Sequence, residues 1–461
     1  MLSRRAFLQS TAAYGALAAT GVLNARPAGA VATWVSPASI PNDGSANVSA
    51  ALTDWLATTG QPGDTFKLRR GPGFAPGAYW IPQGVRISKP MTFDLAGCWM
   101  YTGVTLGEQD PDFEANRHNF PPLYGETFDV TDPNFQYLRW PRSRRHLIVA
   151  ASNVHVMSSL ANARIQGAAR RAQLRSGRLF VPSGCQFYSH LEAQHAIELG
   201  EGLSAPCTDS TVDLTNIALE FPHGDGIALA RGCQRIHIHG RRMGRTVVAG
   251  SARDPQDGDA LGPHVGGSLG AGYDETTGLF SPVLEVYPGI HHIGRQGISL
   301  AFAMNDILIE EISMWRTGRT AYDFEPAENQ LVERVTIRRT ETGIHHLGWM
   351  TAAGGPTKDI TIEQNISYEK MPVVAVQGAG EIRHRNWRVI ENWGGLRTRT
   401  GQVCDFANVD GIRVRGNMHT IDADVDPVRH ANCTNVVEAS NTWPVSTTSI
   451  PLTDPPPGPW S

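Results

Sequence analysis

The sequence predicts an all-β chain: a single-stranded right-handed parallel β-helix, a solenoid, closed at its N-terminal end by a short capping helix. Three observations predict it. Six strand-like runs recur, ILIEE from Ile307, VTIRR from Val335, ITIEQN from Ile360, WRVIEN from Trp387, IRVRGN from Ile412 and VVEASN from Val436, at intervals of 28, 25, 27, 25 and 24 residues. A fixed period of this length marks a solenoid. The runs are too short for helices and alternate β-branched with polar residues, so one side of each is built for a core. The regular leucines and asparagines of a leucine-rich repeat are absent. Finally, GDGIALARGCQRIHIHG and GRQGISLAFAMNDILIEE both space their two apolar runs by nine residues, Ile227 to Ile236 and Ile298 to Ile307.

In order along the chain, residues 1–30 read as a targeting segment. Arg4 and Arg5 are followed by Phe7 and Leu8, an apolar stretch and Ala28-Gly29-Ala30, which fits small-residue cleavage. The segment resembles a twin-arginine export signal, and the mature chain is expected to start near Val31, in the periplasm or outside the cell. The β-helix domain is expected over 31–443. Near its start, Val48, Leu52, Trp55 and Leu56 have helical spacing, which predicts a helix over about 46–57. Short strands follow between glycine and proline turns, among them Val85-Arg86-Ile87 and Met91-Thr92-Phe93. Two loop insertions are expected, at about 107–145 and 246–282, the first polar and without period, the second rich in glycine. VLEVYPG, from Val283, offers a strand of a coil between the two aligned ones. Residues 444–461, with PPPGP, read as an extended tail.

Composition narrows the partners. The chain has 461 residues, a net charge of −4 and 18% charged residues, with no basic excess to hold nucleic acid. No stretch after the leader is long and apolar enough to span a bilayer, so no membrane contact is expected once the leader is removed. The six cysteines form no CxxC pattern. They are either free buried thiols or disulfides, with Cys404 and Cys433 one candidate pair. No cofactor is expected. Calcium has only Asp254, Asp257 and Asp259 of DPQDGD to recommend it, without the twelve-residue EF-hand pattern.

The stretch Gly294 to Pro326 carries the candidate chemistry. Arg295 and Arg319 are 24 residues apart, and each precedes a short strand-like run by three residues. Strand alternation then sends Ile298, Leu300, Tyr322 and Phe324 inward and Arg295, Ser299, Arg319, Asp323 and Glu325 outward. Asp323 and Glu325, at i and i+2, are about 7 Å apart along the strand, within the range of an acid and base pair for glycosidic-bond cleavage. Arg295 and Arg319 would position the substrate. The other reading is a structural Arg319–Asp323 ion pair, with Glu325-Pro326 opening a turn. Asp225, in HGDGIAL, is either a second candidate or a turn residue. His291, His292, His345 and His346 lie near the carboxylate coil as possible substrate contacts, as does Trp349. Trp315, Trp387 and Trp393 either stack on sugars or fill coil corners. His237, His239 and Arg241 alternate on IHIHGRR, as an exposed ladder or a metal patch.

From Asn42 to Trp99 the order DG turn, amphipathic helix, strand, P-x-G turn and two strands resembles the N-terminal segment of the pectate-lyase-like superfamily, in which a helix caps a parallel β-helix. The resemblance extends through the repeats to Trp443 and implies that fold. Asp225-Gly226-Ile227 and Gln296-Gly297-Ile298 faintly echo glycoside hydrolase family 28. That family's paired aspartates and RIK motif are missing here, and Gln296 stands where its GHG motif has histidine. The resemblance implies an exported carbohydrate-active enzyme cleaving a polysaccharide. A polysaccharide lyase or epimerase acting on uronates and a non-catalytic glycan-binding β-helix are the alternatives, because one fold hosts all three.

Overall fold

The computed structural model describes residues 31–71, 76–81, 83–101, 146–166, 195–201, 205–220, 225–242, 273–274, 279–280, 288–293, 296–317, 320–326, 329–342, 348–352, 354–367, 374–377, 381, 383–394, 403–421 and 425–445. Three parallel sheets of 12, 11 and 10 strands run the length of the chain, here called A, B and C. Each coil contributes one strand to A, then B, then C, and each strand pairs with its equivalent in the next coil. This is the right-handed parallel β-helix that the period predicts.

The repeat spacing is the register itself. Ile307, Val335, Ile360, Trp387, Ile412 and Val436 pair in one unbroken column across sheet A. Pairings of Ile236 with Ile307 and of Ile227 with Ile298 confirm the alignment of the two glycine-led coils. They also correct one expectation: these coils are direct neighbours, so no coil intervenes where VLEVYPG was assigned one. The insertion enters and leaves between sheet A and sheet B. Among its described residues, Tyr273–Asp274 and Leu279–Phe280 form an antiparallel pair.

The N-terminal helix, α1, spans Ser49–Thr58 and buries Leu52, Trp55 and Leu56 along with the preceding Val48. It covers the first coil, whose end would otherwise expose apolar surface. The opposite end is finished differently. In the last coil the inward positions occupied by Phe406 and Val414 one coil earlier hold His430 and Glu438, 3.6 Å apart. Polar residues there stop the apolar core, and among the described residues no element covers it.

The turn from sheet A to sheet B explains why the runs end in a charge or asparagine. Glu311, Arg339, Gln364, Glu391, Gly416 and Ser440 all adopt positive φ. That left-handed conformation disfavours most side chains, so the next residue has to hold the turn. Asn365, Asn392 and Asn417 do so from the interior, each donating Nδ2 to a carbonyl of the preceding coil (Ile337, Ile362 and Val389). The core is otherwise apolar, with Trp387 fully buried between Phe324 and Phe406. Its indole donates to Thr357 Oγ1 at 2.9 Å, and that hydroxyl in turn meets His384 Nδ1 at 2.8 Å.

Cys98, Cys207, Cys233, Cys404 and Cys433 are free thiols. The candidate Cys404–Cys433 bridge is therefore not formed: Cys404 is buried at the start of its sheet C strand, while Cys433 lies in the turn leading to sheet A. Burial pushes the Cys98 and Cys207 thiols up to about 11 and Cys233 to about 12, which leaves them protonated and unreactive. Among the described residues no helix is long and apolar enough to cross a membrane. The targeting segment, the whole first insertion, most of the second, the DPQDGD aspartates and the tail from 446 lie outside the described residues.

Candidate functional site

Sheet C carries a local repeat with the pattern polar, small, apolar, variable, apolar. It reads His195-Ala196-Ile197-Glu198-Leu199, Asp225-Gly226-Ile227-Ala228-Leu229, Gln296-Gly297-Ile298-Ser299-Leu300 and Thr320-Ala321-Tyr322-Asp323-Phe324. Ile197, Ile227, Ile298 and Tyr322 pair in register across four coils. Their inward direction, with Leu300 and Phe324, agrees with the alternation read from sequence, and all are buried. Glu198, Ala228, Ser299 and Asp323 therefore form one outward column.

The small second position has a steric cause. A Cβ on Gly226 would lie 2.6 Å from the Gly297 carbonyl. One on Gly297 would strike the Met314 sulfur and lie 2.7 Å from the Ala321 carbonyl. The chain enters sheet C through a tight approach, and this fixes the residue just before it. That residue is His195, Asp225, Gln296 or Thr320.

Those turn residues build a polar cluster. The Asp225 backbone N–H donates to His195 Nδ1 at 3.0 Å, and Asp225 Oδ2 lies 3.4 Å from the same nitrogen. The Gln296 backbone N–H donates to Asp225 Oδ1 at 3.1 Å. The Gln296 side chain reaches the outward column, where Nε2 donates to Asp323 Oδ2 at 2.9 Å. One glutamine thus ties together two carboxylates that stand two coils apart and three residues apart in register, roughly 14 Å at the backbone from two strand spacings and three residue rises. Asp225, Gln296 and Asp323 are each 1% exposed, and Gln296 Oε1 is enclosed without a hydrogen-bond partner.

Asp323 was expected on an exposed face, and this is corrected: its outward direction holds, but the Gln296 amide bonded to it belongs to the cluster that encloses it. Glu325 lies just past the end of the strand and is exposed, on the same side by alternation. Asp225 is a turn residue by position, yet its carboxylate belongs to the cluster. Arg295, Arg319, His345 and His346 lie outside the described residues. His291 lies on strand Gly289–Ile293 with His292, and Trp349 on strand Gly348–Ala352, and only their backbones are described. His195, Gln296 and Glu198 were missed as site residues. The signal that finds them is the fourfold sheet C pattern, with HAIEL as its first member.

The outward column is closed by ion pairs at both ends. Arg86 donates to Glu201 at one end, with Nε 3.1 Å from Oε2, and Arg429 binds Asp405 in a two-bond fork, at 3.0 and 2.5 Å, at the other. Between them the column runs through Ile148, Glu198, Ala228, Ser299, Asp323, Thr351 and Ala375.

No protein-family model matches the sequence, and no curated protein is similar to it in sequence. Among solved structures, the chain is similar in course to an endo-xylogalacturonan hydrolase from Aspergillus tubingensis, with 11% identity, 91% of this chain and 97% of that one covered, and a TM-score of 0.48. It is also similar to a polygalacturonase from Erwinia carotovora, at 11% identity, 94% and 99% coverage and a TM-score of 0.35. A third similar structure is the catalytic unit of an α-1,3-glucanase from Streptomyces thermodiastaticus, at 10% identity, 92% and 69% coverage and a TM-score of 0.39. These are likenesses in the path of the chain. The site rests on its own residues.

Proposed function

We propose that this protein is a carbohydrate-active enzyme that cleaves glycosidic bonds in a polysaccharide by acid and base catalysis on the outer face of sheet C. The observation that carries the reading is the glutamine-bridged pair of buried carboxylates, Asp225 and Asp323. Both carboxylates are held by the one residue Gln296, and an inverting hydrolase needs two carboxyl groups placed about a water and a glycosidic oxygen.

Asp225 Oδ1 accepts the Gln296 backbone N–H and Asp323 Oδ2 accepts the Gln296 side-chain N–H. Asp225, whose Oδ2 lies 3.4 Å from His195 Nδ1, is assigned the role of acid, and Asp323, on the outward column, that of base. Asp225 then protonates the leaving oxygen while Asp323 takes a proton from the attacking water. Arg295 and Arg319 precede these coils in sequence and are assigned to substrate positioning. Histidines 291, 292, 345 and 346, with Trp349, are assigned to the rim. Glu325 is retained as the other partner for Asp323. Arg4-Arg5 and the apolar stretch after it support export.

The test is a panel of polysaccharides read for new reducing ends and for the ultraviolet absorbance of an unsaturated product. Reducing ends without absorbance are expected. Asp323→Asn and Asp225→Asn should each lower turnover by about two to four orders of magnitude, with unfolding midpoints little changed. A drop in Glu325→Gln with Asp225→Asn active would move the pair to Asp323 and Glu325. Unsaturated product would identify a lyase, and binding without either product would identify a glycan-binding protein.

A further inference from the structure

The histidines of IHIHG play no part in the sheet C site, and their surroundings on sheet A suit another ligand. His237 and His239 occupy i and i+2 of strand Gln234–His239, so both point out of the solenoid. Their rings lie 4.5 Å apart between centroids, tilted by 33°. Their side chains are 37% and 27% exposed, open to an ion from solvent.

Each ring has one nitrogen engaged by a carboxylate from a neighbouring coil. His237 Nε2 lies 3.0 Å from Glu310 Oε1. Arg338 Nε and Arg339 Nη2 donate to the other oxygen of Glu310. With Glu310 as the acceptor and Nε2 as the donor, Nδ1 is the open nitrogen of the His237 ring. His239 Nδ1 lies 3.6 Å from Asp213 Oδ1, and the field of that carboxylate draws the ring proton to Nδ1, leaving Nε2 open. A third imidazole, His155, stands two strands away in the column of His237, with Thr211 between. Its Nε2 is enclosed and has no hydrogen-bond partner. Metal-ligating histidines are backed in this way by a carboxylate on the far nitrogen, which fixes the tautomer and raises the basicity of the ligating one.

From this geometry we infer that His237 and His239 form an exposed two-nitrogen chelate for a divalent late transition-metal ion, of the copper(II) or nickel(II) class, oriented by Glu310 and Asp213. Two imidazoles presented from one side suit a square-planar or tetragonal ion whose other positions are filled by water. Among the described residues no three His, Cys, Asp or Glu side chains form a ready metal cage. That agrees with an open chelate and disagrees with a closed tetrahedral zinc site.

The test is titration of the full chain with copper(II) at pH 7, followed by calorimetry and electron paramagnetic resonance. One site with two nitrogen ligands is expected. His237→Ala and His239→Ala should each weaken it at least tenfold. Asp213→Asn keeps both imidazoles and should weaken it about 10–100-fold through the lost backing carboxylate. Copper should raise the thermal midpoint of the wild-type chain and leave that of the double alanine variant unmoved. Failure of the wild type to bind, or equal affinity and stoichiometry in the double variant, would overturn the inference. Should the alanine variants fail to fold, the Asp213→Asn titration decides: unchanged affinity there overturns it as well.

Discussion

Replacing Asn392 by alanine tests how the coils are held in register. Asn392 is 4% exposed and makes four hydrogen bonds through its amide. Its Oδ1 accepts from Asn365 N at 3.0 Å and Asn365 Nδ2 at 2.9 Å, and its Nδ2 donates to Ile362 O and to Asn417 Oδ1, both at 3.0 Å. Truncation does not orphan every partner. Asn365 Nδ2 keeps Ile337 O, and Asn417 Oδ1 keeps the backbone N–H of residue 392. The Asn365 backbone N–H loses its acceptor inside the core, which costs about 1–3 kcal/mol, and the other three bonds contribute about 0.5–1.5 kcal/mol each. The total expected is about 2.5–7.5 kcal/mol, a large share of the ~5–15 kcal/mol that stabilises a typical domain. Denaturant unfolding should show it as a lowered midpoint, with faster amide exchange at Asn365. Asn441→Ala is the control at the open end, where the ladder is only partly buried and water replaces the lost bonds, so a cost of about 1 kcal/mol is expected. Equal, small effects at both positions would refute the account of the ladder as the register lock.

Other expectations follow from the same structure. His419 points into the core, and burial pushes it from 6.5 down to about 4. The unfolded chain therefore binds its proton first: the stability is whole above about pH 6.5, falls as pH drops, and is lost by about 3 kcal/mol below pH 4. His384 is lowered by burial in the same direction, so a His419→Leu variant should flatten part of the acid loss and leave the rest. Gly297→Ala should lower both stability and turnover, because the added methyl meets Met314 and the Ala321 carbonyl beside Gln296; wild-type unfolding and activity would refute the tight approach. Replacing His430 and Glu438 by leucine and valine should extend the apolar core to the last described coil and cause concentration-dependent association, read by light scattering.

Much of the fold was legible because a solenoid writes its tertiary contacts as a period. The Ile307 to Val436 column pairs at the intervals seen in the sequence, since each inward residue must meet its equivalent one coil on. Strand alternation likewise determined that Tyr322 and Phe324 are core and Asp323 is not. Periodicity does not say which turn residue folds over which outward one. Gln296 reaches Asp323 across 27 residues and Asp225 across 71, and His195 meets Asp225 across 30, through turns of unequal length. Only the stacking of coils brings these side chains together. The insertion between sheets A and B shows the same limit: its VLEVYPG segment suggested another coil, but backbone pairing of Ile227 with Ile298 closes the stack directly. The sequence determined the faces, because alternation is local. The tertiary structure decided the partners, because a coil's neighbour is set by hydrogen bonding between strands and not by distance along the chain.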